Sequence, residues 1–169
     1  MKFIICALFI LISTAFSASA TTVKTKLFSI DVPDEWKIED NRTSIFLAFG
    51  NNVVDRTPLP FLSVQYCQND VPQKDSSQPR CNLPCDDEAN NLMSGFPQKE
   101  MRFSPVKKSE KENGVTEYSS ELTSPAVVST FITLACNSKG QVHVALSSDL
   151  PRLVAKQLFA KILASLKWI

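Results

Sequence analysis

The stretch AVVSTFITLACNSKGQVHVALS, Ala126 to Ser147, decides the fold. Its halves, AVVSTFITLAC and QVHVALS, are rich in β-branched and aromatic residues, and Lys139-Gly140 supplies a turn between them. In the second half Val142, Val144 and Leu146 alternate with Gln141, His143 and Ser147, which is the pattern of a strand with one face on a core and one polar face. Upstream, EMRFSPVKKS (Glu100–Ser109) and VTEYSSEL (Val115–Leu122) read as two more strands. Asn113-Gly114 and Ser124-Pro125 provide the remaining turns, so four strands form an antiparallel meander. Downstream, DLPRLVAKQLFAKILASLKW (Asp149–Trp168) reads as a helix with Asp149 as N-cap and Pro151 in the first turn. Leu153, Val154, Leu158, Phe159, Ile162, Leu163 and Leu166 form its apolar stripe, with Arg152, Lys156, Lys161 and Lys167 largely off it. Such a helix needs a sheet to cover.

Toward the N-terminus, TKLFSIDVP (Thr25–Pro33) alternates and stops at proline. SIFLAF (Ser44–Phe49) is a short apolar strand closed by Gly50, Asn51 and Asn52, and FLSVQYC (Phe61–Cys67) follows the breaker RTPLP. A polar loop, Gln68–Pro84, leads to a helix over Asp86–Gly95 that buries Ala89, Leu92, Met93 and Phe96 before Pro97 ends it. The result is α+β: a central, mainly antiparallel sheet of about six strands, packed by helices that include the C-terminal amphipathic one. No repeat or linker interrupts residues 21–169, which read as one globular domain.

The first 20 residues read as a signal peptide. Lys2 precedes the apolar run FIICALFILISTAF, and Ala18 and Ala20 stand at the small-residue positions of a cleavage site, with the cut after Ala20. A run of roughly 14 apolar residues falls short of the ~20 that span a bilayer, so the processed chain has no transmembrane segment and works in the periplasm or outside the cell. The sequence holds 18 Lys+Arg against 17 Asp+Glu, and the leader removes one lysine. That leaves no basic excess to bind phosphate backbones, which argues against a nucleic-acid partner.

Five cysteines occur, and Cys6 leaves with the leader. Four cysteines in an exported chain favour two disulfides, with three connectivities open to them. The preferred one joins Cys81 to Cys85 as a local loop and Cys67 to Cys136 as a long-range tie. The second bond requires that no strand lie between the two strand ends, since the Cα atoms must come within about 7 Å. CNLPC is C-x-x-x-C, not the thioredoxin C-x-x-C. Asp86, Asp87 and Glu88 oppose thiolate formation at Cys85 and instead suit a helix N-terminus. Zinc needs three or four ligands, and His143 is the only histidine, so no metal site is expected.

No G-x-S-x-G, glycine-rich phosphate loop or H-E-x-x-H occurs, and any Ser-His-Asp mechanism would rest on His143, which is read as plain surface. No catalytic residue and no cofactor is expected. Trp36 and Trp168 are read as packing aromatics. Asn41, in N-R-T, would accept a glycan only in a eukaryotic secretory pathway.

The segment LFSIDVPDEWKI sets Phe28, Pro33 and Trp36 in the order F-x-x-x-x-P-x-x-W. Followed by strands, a helix, a meander and a closing ILASLKW, it resembles the PsbP/Mog1-like family across nearly the whole processed chain. The resemblance implies an α/β/α sandwich used as a binding or assembly surface, as in an extrinsic photosystem subunit, a regulator of a nuclear GTPase and exported bacterial proteins. It carries over no catalytic or metal-ligand residue. Phe28, Pro33 and Trp36 match structural positions, and the cysteines lie outside the general pattern. The expected function is therefore a non-enzymatic exported protein that holds a protein partner. A narrower alternative is an immunity protein that blocks a secreted toxic effector, and a third is a disulfide-active or hydrolytic enzyme.

Overall fold

The computed structural model describes residues 19–41, 45–54, 57–70, 80–94, 102–123 and 128–169. Two antiparallel sheets and two helices make up these residues. The small sheet has the order β1-β2-β11, formed by β1 (Ala20–Lys24), β2 (Phe28–Pro33) and β11 (Lys167–Trp168). The large sheet has eight strands. Its path runs β3 (Lys37–Asn41), β4 (Ile45–Val54), β5 (Thr57–Gln68), β10 (Gly140–Ser148), β9 (Ser129–Asn137), β8 (Val115–Thr123) and β6 (Arg102–Phe103), with β7 (Lys107–Lys111) also paired to β8. Helix α1 is Cys85–Ser94 and helix α2 is Arg152–Ala164.

The sandwich is thus fuller than the six-strand expectation. A helix lies on each face of the large sheet, but α2 shares its layer with the small sheet. Phe28, Ile30 and Val32 of β2 and Ala155, Phe159 and Ile162 of α2 together cover Phe46, Val64, Val142, Val144 and Leu146 of the large sheet. On the opposite face Ala89 of α1, with half-buried Leu92 beside it, packs with Tyr118, Leu134 and Cys136. Strict alternation along β10 sends Val142, Val144 and Leu146 to the first core and Gln141 and His143 to the second side.

Local chemistry explains where the strands depart from the sequence reading. Pro105 has no N–H to give a ladder, and the run Glu100–Ser109 accordingly splits into β6 and β7. Ser104 fills the gap, donating its N–H to Glu121 O at 2.8 Å and accepting at Oγ from Glu121 N at 2.9 Å. Pro58 and Pro60 do not break the chain but begin β5, at a part of that strand beyond the reach of β10, whose pairing ends at Phe61. Opposite them β4 continues past Gly50 through a register shift between Phe49 and Asn52. A Cβ on Gly50 would meet Pro60 Cδ at 2.4 Å, so the close approach requires glycine. Asn113 and Gly114 both have positive φ, 75° and 68°, as the tight turn between β7 and β8 demands.

Helix α2 begins later and ends sooner than expected. Pro151, with φ −50° and ψ 133°, is itself the N-cap residue in place of Asp149. At the other end Ser165 caps Ile162 O through its hydroxyl at 2.6 Å and accepts Asp31 N–H at 2.8 Å, binding the helix end to β2. Lys167 and Trp168 then leave the helix to pair with Ser29 and Phe28. The buried stripe is Ala155, Phe159 and Ile162, whereas Leu153 is 72% exposed and Val154 38%.

Candidate binding surfaces

The cysteines fix the first surface. Cys67 bonds Cys81, and Cys85 bonds Cys136, which replaces the pairing favoured from sequence. The reason is the strand order. Cys67 on β5 and Cys136 on β9 both stand opposite Gln141 on β10, so a whole strand separates them. Neighbouring strands lie about 4.8 Å apart, which puts the two cysteines roughly 10 Å apart, beyond disulfide reach. Each therefore bonds outward, to the segment that crosses the sheet face. Arg80 bridges Gln68 in parallel, and Cys81 N–H donates to Gln68 O at 3.0 Å. Both ends of the Gln68–Pro84 connection are thereby tied to the sheet; its middle lies outside the described residues.

Three further contacts seat α1. Gln141 Nε2 donates to Leu83 O at 2.7 Å. Asp86, in the first helical turn, accepts from the Tyr118 hydroxyl and from Lys108 Nζ at 3.0 Å. Those two donors hold the Asp86 carboxyl below its ordinary range. Burial, reinforced by Asp86, pushes the Tyr118 phenol up. The acidic start of α1 is thus partly spent on a cross-sheet anchor, beyond any favourable interaction with the helix dipole.

Beneath this clamp lies a cavity of about 220 Å³, lined among others by Arg80, Asn82, Glu88, Leu92, Gln141 and His143. His143 is not plain surface. Its imidazole Nε2 is buried without a hydrogen-bond partner, and desolvation lowers its pKa from the usual 6.5. The alternation of β10 placed Gln141 and His143 on one face in the sequence; nothing local announced that a helix 50 residues upstream is stapled over that face.

The second surface is a groove of about 450 Å³ on the α2 side. Pro33, the last residue of β2, and Trp36 beyond it form one wall; Gly50 and Pro60 of the β4–β5 hairpin form another; Leu150, Val154, Leu158 and Ile162 complete it. Trp36 is buried, its N–H turned back to Pro33 O at 3.0 Å. The lining is mainly apolar, and Leu153, next to Val154 in α2, is exposed to solvent. Of the motif residues, Phe28 is wholly buried against Phe46 and Tyr66, while Pro33 and Trp36 border the groove. Trp168 is half-buried against the same core. Asn41 ends β3.

Among the described residues no group of three His, Cys, Asp or Glu is placed to hold a metal ion, and no helix is long and apolar enough to cross a membrane. Met93's side chain, Phe96 and Pro97, and residues 1–18, where a signal peptide is expected, lie outside the described residues.

No family model matches the chain, and no curated protein does. Among solved structures it is similar to cyanobacterial PsbP (CyanoP) from Synechocystis sp., with a TM-score of 0.61 over 92% of this chain and 96% of that one, at 13% sequence identity. At that identity the likeness speaks for architecture, and the fold of this chain is PsbP-like.

Proposed function

We propose that this chain is an exported, non-enzymatic protein that holds a protein partner through the groove between α2 and the β4–β5 hairpin. The observation that carries the reading is the groove itself: an apolar concavity flanked by Leu153 and Val154, two hydrophobic side chains that α2 leaves in solvent. Exposed apolar side chains gathered at a concave site mark interaction surfaces more often than singly scattered ones do. A partner would insert an apolar side chain there. The leader-like N-terminus and the two disulfides support work in an oxidising compartment. The PsbP-like fold supports a binding role through what the family resemblance implies. Against nucleophilic catalysis, His143 Nε2 is hydrogen-bonded to no hydroxyl or thiol.

The test is affinity capture from the cell's own envelope and secreted fractions with the native chain and with the Leu153→Asp/Val154→Asp variant. Both positions are exposed enough to accept the change without unfolding. A protein recovered in stoichiometric amount by the native chain and lost by the variant is the expected result. Retention by the variant refutes the groove, and an empty capture with the native chain refutes the partner reading.

A further inference from the structure

The cavity under α1 is a different kind of site from the groove. About 220 Å³ is smaller than the 300–1,000 Å³ typical of pockets for drug-sized ligands, so its occupant is a molecule of few atoms. Its lining is also distinct in what it leaves unused. Arg80 and Glu88 both line it, yet among the described residues neither takes part in an ion pair or side-chain hydrogen bond. Charged residues elsewhere do pair: Asp86 with Lys108, and Glu121 with Arg152 in a two-point contact at 2.5 and 2.7 Å. Among the described residues an unpaired cation and an unpaired anion therefore border one space, and His143 lines it beside them with Nε2 itself shielded from solvent.

The arrangement has a mouth and a floor. Arg80 and Asn82 are exposed, Glu88 and His143 are intermediate, and Gln141 is buried. Gln141 is already committed through Nε2 to Leu83 O, and Leu92 and Leu134 supply apolar wall. Burial disfavours the imidazolium, so at neutral pH the imidazole brings one N–H and one lone pair but no charge. Among the described residues the charges bordering the cavity then sum to zero. A purely anionic or cationic ligand would leave one of the two side chains unanswered, whereas a ligand carrying both signs answers both. The disulfides at Cys67 and Cys85 hold the two walls in place, which lowers the ordering cost of binding.

We propose that this cavity binds a small zwitterion of the α-amino acid class, its carboxylate on Arg80 and its ammonium on Glu88, with the neutral His143 ring as part of the wall. Guanidinium suits a carboxylate through paired N–H donors, and a carboxylate side chain suits an ammonium as acceptor.

His143 is the only histidine in the sequence, so in untagged protein its imidazole signals form a single reporter set. Those signals are followed by NMR while glycine or alanine is added, and separately acetate and methylamine as the two half-ligands. Saturable shifts with the amino acids, at about tenfold or higher affinity than with either half-ligand, are expected; Arg80→Gln and Glu88→Gln should each cost about tenfold as well. No saturable shift with either amino acid overturns the proposal. Equal affinity for acetate overturns it in favour of a simple anion site, and affinity unchanged in both variants overturns the assignment of Arg80 and Glu88.

Discussion

Removing cysteines in chosen pairs discriminates sharply between the disulfide topology of the structure and the one favoured by sequence. Tryptic mapping gives a first distinction, because no Lys or Arg stands between Cys81 and Cys85: the structure's pairing links three peptides, whereas the sequence-favoured one closes Cys81–Cys85 within a single peptide and joins only the other two. Double alanine variants separate the cases. The Cys67–Cys81 bond spans 14 residues and the Cys85–Cys136 bond 51, closures that on the chain-entropy model contribute about 3 and about 4 kcal/mol. The two loops follow one another without overlap, so their effects should add to about 7 kcal/mol, a large part of the 5–15 kcal/mol of a typical domain. In a chain beginning at Thr21, which lacks Cys6, Cys67→Ala/Cys81→Ala should show no free thiol and lose about 3 kcal/mol. Cys67→Ala/Cys136→Ala breaks both bonds and should lose far more, or fail to fold. Thiol titration in denaturant and urea unfolding report the two quantities. Two free thiols in Cys67→Ala/Cys81→Ala, or a Cys67→Ala/Cys136→Ala variant as stable as it, would refute the claim that β10 keeps Cys67 and Cys136 apart.

Other outcomes follow from particular residues. Gly140→Ala would bring a Cβ to 2.2 Å from Cys67 O, so β10 and β5 must separate locally; a loss of about 1–3 kcal/mol or more in urea unfolding is expected, and a neutral result would contradict the register. Phe28→Ala removes a wholly buried ring and should cost about 3–5 kcal/mol, while Leu153→Asp, at an exposed position, should stay within about 0.5 kcal/mol of the parent in the same assay. His143 should titrate below 6.5 by NMR. Below that pH the unfolded chain takes up a proton that the folded chain refuses, so stability attributable to His143 falls from about pH 6.5 down to the folded value. The urea midpoint of His143→Gln should accordingly fall less steeply with acid than that of the parent, and parallel curves would refute the burial.

Much of the architecture was readable because it rests on local rules. The alternation Val142, Val144, Leu146 named the core face of β10, and Asn113-Gly114 named the turn between β7 and β8, with both residues at positive φ. The C-terminal helix was readable too, though not its rotation. Leu153 and Val154 fit a helical stripe by spacing, yet β2 and the large sheet receive the side carrying Ala155, Phe159 and Ile162. Trp168 looked like the helix end because Ser165 resembles any helical serine until Asp31 N–H arrives from β2 to use its hydroxyl. Gly140 signalled a turn, but what it supplies is room for Cys67 O.

The sequence by itself determined the strand-rich α+β class, the meander and the two helices, because each depends on residues within one or two turns of chain. Only the tertiary structure decided which cysteines meet, what lies over His143 and where the groove opens. Those depend on strand order and on the packing of distant segments: inserting β10 between β5 and β9 redirects both disulfides, carries α1 across Gln141 and His143, and turns a strand's polar face into a lined cavity.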